Sequence, residues 1–377
     1  MRAGVDVLMH ERLDLIRGQR VGLATNHSGL DSRGRSTIDL LRAAPDVQLV
    51  ALFSPEHGIR GEAAAGEAVD SSTDARTGLP VYSLYGEGVR PIPRMLEGLD
   101  ALIFDVQDVG ARVYTYAATL LEILRSAAAR HLRVVVLDRP NPINGIDVEG
   151  NVLEPRFASF VGPGRLAMRH GLTIGELARL FNGELEIGAA LTVVPLEGWN
   201  RQDWYDQTGL PWVNPSPNIR SLAAATLYPG TVLVEGTSLS EGRGTDHPFT
   251  CIGAPWMDGA AWAEALERLE IPGVHVEPAQ FTPSSSKFAG LACQGVHLRL
   301  TNRSLVQPMA LGIQILATAR SLAPGQLRFT PGVFDRLAGT DQVRLALQRG
   351  QPARTIVSGW QAELATFRAR RATYLLY

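Results

Sequence analysis

The chain has 377 residues, 45% of them apolar, with 36 Lys plus Arg set against 38 Asp plus Glu. That length exceeds one ordinary α/β domain and predicts two, while the balanced charge leaves no footprint for nucleic acid. Two cysteines, Cys251 and Cys293, exclude a disulfide framework, and no run reaches the roughly 18 apolar residues of a membrane span.

Residues 21–24, 47–53, 101–104 and 134–137 are short apolar runs rich in β-branched residues or Leu, and each predicts a buried strand. Between them, 36–44 and 114–131 suit helices, the second with Leu120, Leu121, Leu124 and Ala128 at helical spacing. A helix over 173–182, opened by a Thr173/Glu176 capping box, leads to a strand over 191–196. This alternation predicts an α/β fold, a Rossmann-like or flavodoxin-like doubly wound layer of parallel strands. Residues 198–249 are dense in Gly, Pro, Asn and Trp with little periodicity, which predicts loops that shape a site. Helices over 259–269, 308–322 and 357–370 and a strand over 295–300 then predict a smaller α+β domain, giving domains at 1–247 and 248–377.

Open parallel sheets bind ligands at the carboxyl ends of their strands. Here those ends read Thr25-Asn26-His27-Ser28-Gly29, Ser54-Pro55-Glu56-His57-Gly58, Asp105-Val106-Gln107-Asp108 and Asp138-Arg139-Pro140-Asn141. Asn, Asp and Gly are ordinary caps and turn formers, but His27, Glu56, His57, Gln107 and Arg139 are not, so the four clusters together predict a polar cleft. Glu56, between Pro and His in a glycine-flanked loop, is the leading general acid. Hydrolysis of a glycoside usually takes a second carboxylate, for which Asp105, Asp108, Glu235 and Glu241 are candidates; alternatively the 2-acetamido group of the substrate attacks.

Tyr116, just after Arg112, is a binding candidate or a core aromatic at a helix start. Residues 235–246 gather three carboxylates, Arg243 and three glycines, a composition suited to close approach of a ligand, with Arg243 able to fork onto a carboxylate. Trp199, Trp204 and Trp212 either stack on sugars or anchor loops. His27, His57, Asp105 and Asp138 are chemically capable of holding a metal, but no H-E-x-x-H or paired-Cys spacing supports that, and neither G-x-G-x-x-G nor G-x-S-x-G occurs. No cofactor or metal is expected. With no apolar leader before Glu11 and Arg12, a cytoplasmic location is expected, and an extracytoplasmic one if a leader lies outside this sequence.

Taken together, residues 22–29, 53–61, 104–112, 138–142, 215–219 and 235–245, with Lys287, Cys293 and the closing Tyr-Leu-Leu-Tyr, resemble the NamZ-like exo-β-N-acetylmuramidase family nearly end to end. The resemblance implies a Rossmann-like domain without a dinucleotide, a smaller C-terminal domain, and a cleft between them. It implies hydrolysis of the β-1,4 bond between a non-reducing terminal N-acetylmuramic acid (MurNAc) and GlcNAc in peptidoglycan fragments. On this reading Glu56 is catalytic, with Asp108 and Glu241 as further catalytic candidates. Asn26, His27, His57, Arg60, Asp105, Gln107, Arg112, Tyr116, Asp138, Arg139, Asn218, Glu235 and Arg243 are candidates for binding substrate, and a homodimer is left open. The alternatives are a non-catalytic muropeptide-binding protein and a hexosaminidase acting on GlcNAc.

Overall fold

The computed structural model describes residues 1–61, 71–85 and 91–377. After α1 (Gly4–Glu11) the chain lays down β1 (Arg20–Thr25), α2 (Thr37–Ala43), β2 (Gln48–Ser54), β3 (Ser72–Thr73), β4 (Pro80–Ser83), β5 (Ala101–Asp105), α3 (Tyr116–Ala128) and β6 (Arg133–Leu137). A small hairpin, β7 (Glu149–Val152) with β8 (Ala167–Arg169), precedes α4 (Ile174–Glu184) and β9 (Ala190–Val194). The main sheet runs β3-β4-β2-β1-β5-β6-β9, parallel except for β3. Its six parallel strands thus follow the Rossmann order 3-2-1-4-5-6 rather than the flavodoxin one. The strand that decides this, β4, is four residues long and opens on Pro80, too weak a pattern to be read from sequence.

Side-chain alternation along the strands builds two cores. Val21, Leu23, Ile103, Val135 and Leu137 face α1 and α2, whereas Ala24, Phe104, Val134 and Val136 face α3 and α4. Thr173 and Glu176 form the expected capping box at the start of α4.

The stretch read as loop holds a helix, α5 (Leu222–Thr231), with Pro229 inside it. Its Gly230 carries the explanation. A Cβ there would lie 1.8 Å from the Pro308 carbonyl oxygen, so the glycine lets α5 cross close to a later helix at a cost in local propensity. The chain continues through β10 (Cys251–Ala254), α6 (Gly259–Glu267), β11 (Val274–Phe281), β12 (Cys293–Leu300) and α7 (Pro308–Leu322). Four short helices close it: α8 (Pro331–Ala338), α9 (Gln342–Gln348), α10 (Ala353–Ser358) and α11 (Gln361–Arg371). The second sheet is antiparallel, β10-β12-β11, and both cysteines in it are free. The core of α3 and α4 runs on without a break into α5, α6, α7 and α8. No helix among the described residues is long and apolar enough to cross a membrane.

Candidate active site

The sheet reverses direction between β1 and β5, where doubly wound folds take their ligands. In this chain the crevice is filled by its own side chains. Arg139 lies on Asp105 with Nε 2.5 Å from Oδ1 and Nη2 2.9 Å from Oδ2, and Thr37 donates to the same carboxylate at 2.5 Å. Asn26 donates to the Tyr116 hydroxyl at 2.9 Å and accepts from Ser28, and Tyr116 donates to the Pro215 carbonyl at 2.7 Å. Gln107 donates to the carbonyls of Asp108 and Pro140. Asp138 accepts from Arg139 N, Thr173 Oγ1, Gly175 N and the Tyr377 hydroxyl, tying the start of α4 and the last residue to β6.

The assignment of Asp105, Gln107, Tyr116, Asp138 and Arg139 to substrate is therefore revised, whereas Asn26 also borders a hollow that it shares with His27 and Arg60. Buried polar groups need partners, and these supply one another. Arg112 is revised too: it is fully buried, donates to the carbonyls of Asn151, Leu166, Leu337 and Ala338, and is pushed down to about 9 by that burial. Arg60 pairs with Asp74 at 2.6 Å, and His27 contacts the Asn214 carbonyl at 2.7 Å.

A different, small recess opens over the end of β2. Glu56 and His57 come from the β2 loop, Tyr114 and Thr115 from the turn into α3, Ser216 and Asn218 from the Pro-rich loop, Tyr228 from α5, and Arg243 and Phe249 from the glycine-rich segment. His57 has φ of 74°, an unusual left-handed conformation for a side-chain-bearing residue, and with Gly58 at 79° it turns the chain sharply behind Glu56. Thr115 Oγ1 donates to Glu56 Oε2 at 2.7 Å. Tyr85, at the end of β4, also reaches Glu56 by hydrogen bond; burial, then the neighbouring Glu56 charge, push its phenol up to about 12. Tyr114, Tyr228 and Phe249 meet edge to face, and the Arg243 guanidinium lies 5.0 Å from the Phe249 ring centre.

The other carboxylates take distinct positions. Glu241 is 3.2 Å from Lys287 Nζ and 3.7 Å from Arg243, and Lys287 donates in addition to the carbonyls of Val234, Glu235 and Leu239. Lys287, unmarked as a site residue by local motif chemistry, is the single lysine of the sequence. Asp108 is buried away from the lining, accepts from Gly110 N at 2.7 Å, and is pushed up to about 7 by burial. His170, whose Nδ1 accepts from Leu172 N, faces it across 3.7 Å; burial lowers its ring to about 3, so it stays neutral. Glu235 pairs with Arg243 at 2.9 Å.

None of the three tryptophans lines the recess. Trp199 packs on Tyr377, Trp204 lies under Arg169 and Arg303, and Trp212 meets Tyr205, so all three anchor loops. A larger hollow bordered by Leu269, Thr318, Leu347 and Pro352 carries no carboxylate and offers no comparable chemistry.

Residues 21–223 match the N-terminal model, and 226–377 the C-terminal model, of the exo-beta-N-acetylmuramidase NamZ. The chain is 43% identical to the peptidoglycan beta-N-acetylmuramidase NamZ of Bacillus subtilis (strain 168), across 100% of this chain and 91% of that protein. Two crystal structures of DUF1343 family proteins from Bacteroides fragilis NCTC 9343 superpose with TM-scores of 0.93 and 0.80, at 34% and 30% identity, each covering 100% of this chain and 98% of its own. With both family models matched in order over nearly its whole length, the chain belongs to the NamZ exo-β-N-acetylmuramidase family.

Proposed function

We propose that the protein is an exo-β-N-acetylmuramidase that releases non-reducing terminal MurNAc from peptidoglycan fragments, with Glu56 as general acid and then general base. The observation that carries the reading is the placement of Glu56. It lines the recess, with Thr115 and Tyr85 orienting its carboxyl group, and the Bacillus subtilis relative is a peptidoglycan beta-N-acetylmuramidase. Protonated Glu56 gives its proton to the glycosidic oxygen as the C1–O bond breaks, and the resulting carboxylate takes one from the attacking water.

Among the described residues, Glu56 alone brings a carboxylate to the lining. That favours attack on C1 by the carbonyl oxygen of the substrate's own 2-acetamido group over an enzyme nucleophile. On this reading Asn218 and Tyr228, which line the recess, hold the acetamido group, and Arg243, on the same lining, recognises the lactyl carboxylate that distinguishes MurNAc from GlcNAc.

The test is p-nitrophenol release from the β-glycosides of MurNAc and GlcNAc, with EDTA present. Selective release from the MurNAc glycoside supports the reading. Release from the GlcNAc glycoside alone makes the enzyme a hexosaminidase, and MurNAc binding without release makes it a binding protein. Nuclear magnetic resonance of the first-formed anomer adds the stereochemistry, which substrate assistance requires to be retention.

A further inference from the structure

We propose that Glu235 is a placeholder for the substrate's carboxylate: an incoming lactyl carboxylate displaces it from Arg243, and the displaced Glu235 takes up a proton from solvent. This rests on the muramidase reading above and adds to it a proton linkage that decides which sugars bind.

The geometry of the ion pair carries the argument. Both Nη1 and Nη2 of Arg243 lie on a single oxygen of Glu235, Oε1, at 3.0 and 2.9 Å, and the buried Nε has no hydrogen-bond partner. A guanidinium prefers two parallel bonds to the two oxygens of one carboxylate, so the resident pairing leaves donor capacity that a freely oriented ligand carboxylate can use. Glu235 is also able to leave. Its side chain keeps 24% of its exposure, whereas Glu241, at 3%, is held beside Lys287.

Charge then requires the proton. The groups facing Glu235 are Arg243 and Lys287 with positive charge, Glu241 and Glu56 with carboxyl groups, and the Tyr228 phenol. With Glu56 protonated as the general acid, Glu235 and Glu241 balance the two cations, and a third carboxylate, the substrate's, would leave an excess negative charge in a half-buried recess. Protonation of Glu235 restores the balance. Its carboxyl group is prepared for this, since burial, with Glu241 and Glu56 adding to it against the pull of Arg243 and Lys287, pushes it up to about 7.

The consequence is a pH dependence confined to carboxylate-bearing sugars. Above about pH 7, MurNAc affinity falls by up to about tenfold per pH unit, because each binding event must bring ~1 proton with it. Isothermal titration calorimetry of free MurNAc and free GlcNAc near pH 8, in buffers of different ionisation heat, counts that proton. The expected result is uptake with MurNAc, none with GlcNAc, and none with MurNAc in a folded Glu235→Gln variant that still binds it. Equal uptake with both sugars would place the proton on Glu56 and overturn the proposal, as would pH-independent MurNAc affinity in the wild type. A wild type that cleaves MurNAc glycosides but binds MurNAc without proton uptake loses only this proposal. One that neither binds nor cleaves them loses the muramidase reading with it.

Discussion

Thr115 Oγ1 donates to Glu56 Oε2 across 2.7 Å, and both residues stand on the wall of one recess. The bond fixes which way the carboxyl group points, and a general acid works only within hydrogen-bond reach of the leaving oxygen. Thr115→Val should lower kcat by about tenfold to a hundredfold with KM little changed, the worth of one hydrogen bond to a charged group. Glu56→Gln should cost about a hundredfold to ten-thousandfold in kcat. Steady-state kinetics on the MurNAc glycoside checks both, and a Thr115→Val variant that raised KM alone would make Thr115 a substrate contact instead.

Two arginines that look alike in sequence should behave differently. Arg243→Ala should raise KM for MurNAc substrates by about tenfold or more and leave KM for GlcNAc substrates nearly unchanged, through loss of a charge-assisted contact worth about 1.5 to 3 kcal/mol. Arg112→Met should instead unfold at lower denaturant, by on the order of 3 kcal/mol, because the buried carbonyls of Asn151 and Leu337 lose the Arg112 donor, while those of Leu166 and Ala338 keep Leu153 N and Asn151 Nδ2. Selective KM change in the Arg112 variant would return that residue to the site.

Asp108 gives a pH signature in stability. Burial pushes its carboxyl up to about 7, above an unfolded value of about 3.9. The folded state holds that proton more tightly, so the contribution is fully present below about pH 4 and is lost as the pH rises through about 7. Asp108→Asn keeps an acceptor for Gly110 N and has no proton to lose. Urea titrations should show the variant gaining on the wild type between about pH 5 and pH 8, by a few kcal/mol. Parallel curves would mean that Asp108 is ionised in the fold throughout.

The central strands β1, β2, β5 and β6 were legible because their apolar runs are buried on both faces, whereas β3, β4, β7, β8, β10 and β11 were not read, and α7 was read with its observed ends because Pro308 opens it. The helix α5 was hidden by Pro229 and Gly230, residues that serve its crossing with α7. At the site, strand-end chemistry pointed to the edge of the sheet where the recess opens and to Glu56, which lines it. It could not separate side chains that meet substrate from those that meet each other. Asp105 and Arg139 are 34 positions apart and form a buried pair that no spacing rule reveals. Tyr228 and Phe249 reach the recess from elements whose placement depends on how the second sheet and its helices pack on the first.

Tyr377 supplies the last prediction. Its hydroxyl donates to Asp138 Oδ2 and accepts from Leu196 N, both at 2.7 Å, while its ring meets Trp199 edge to face. Tyr377→Phe keeps the ring contact and removes both hydrogen bonds. Asp138 retains three donors, so the uncompensated loss is the Leu196 amide, costing about 1 to 3 kcal/mol. Asp138 is not part of the recess lining, so kcat and KM at a temperature where the variant is folded should match the wild type. Lower kcat at unchanged unfolding free energy would show instead that the β6 network transmits to Glu56, whereas a stability loss with intact kinetics makes the Asp138–Tyr377 contact a clamp on the fold alone.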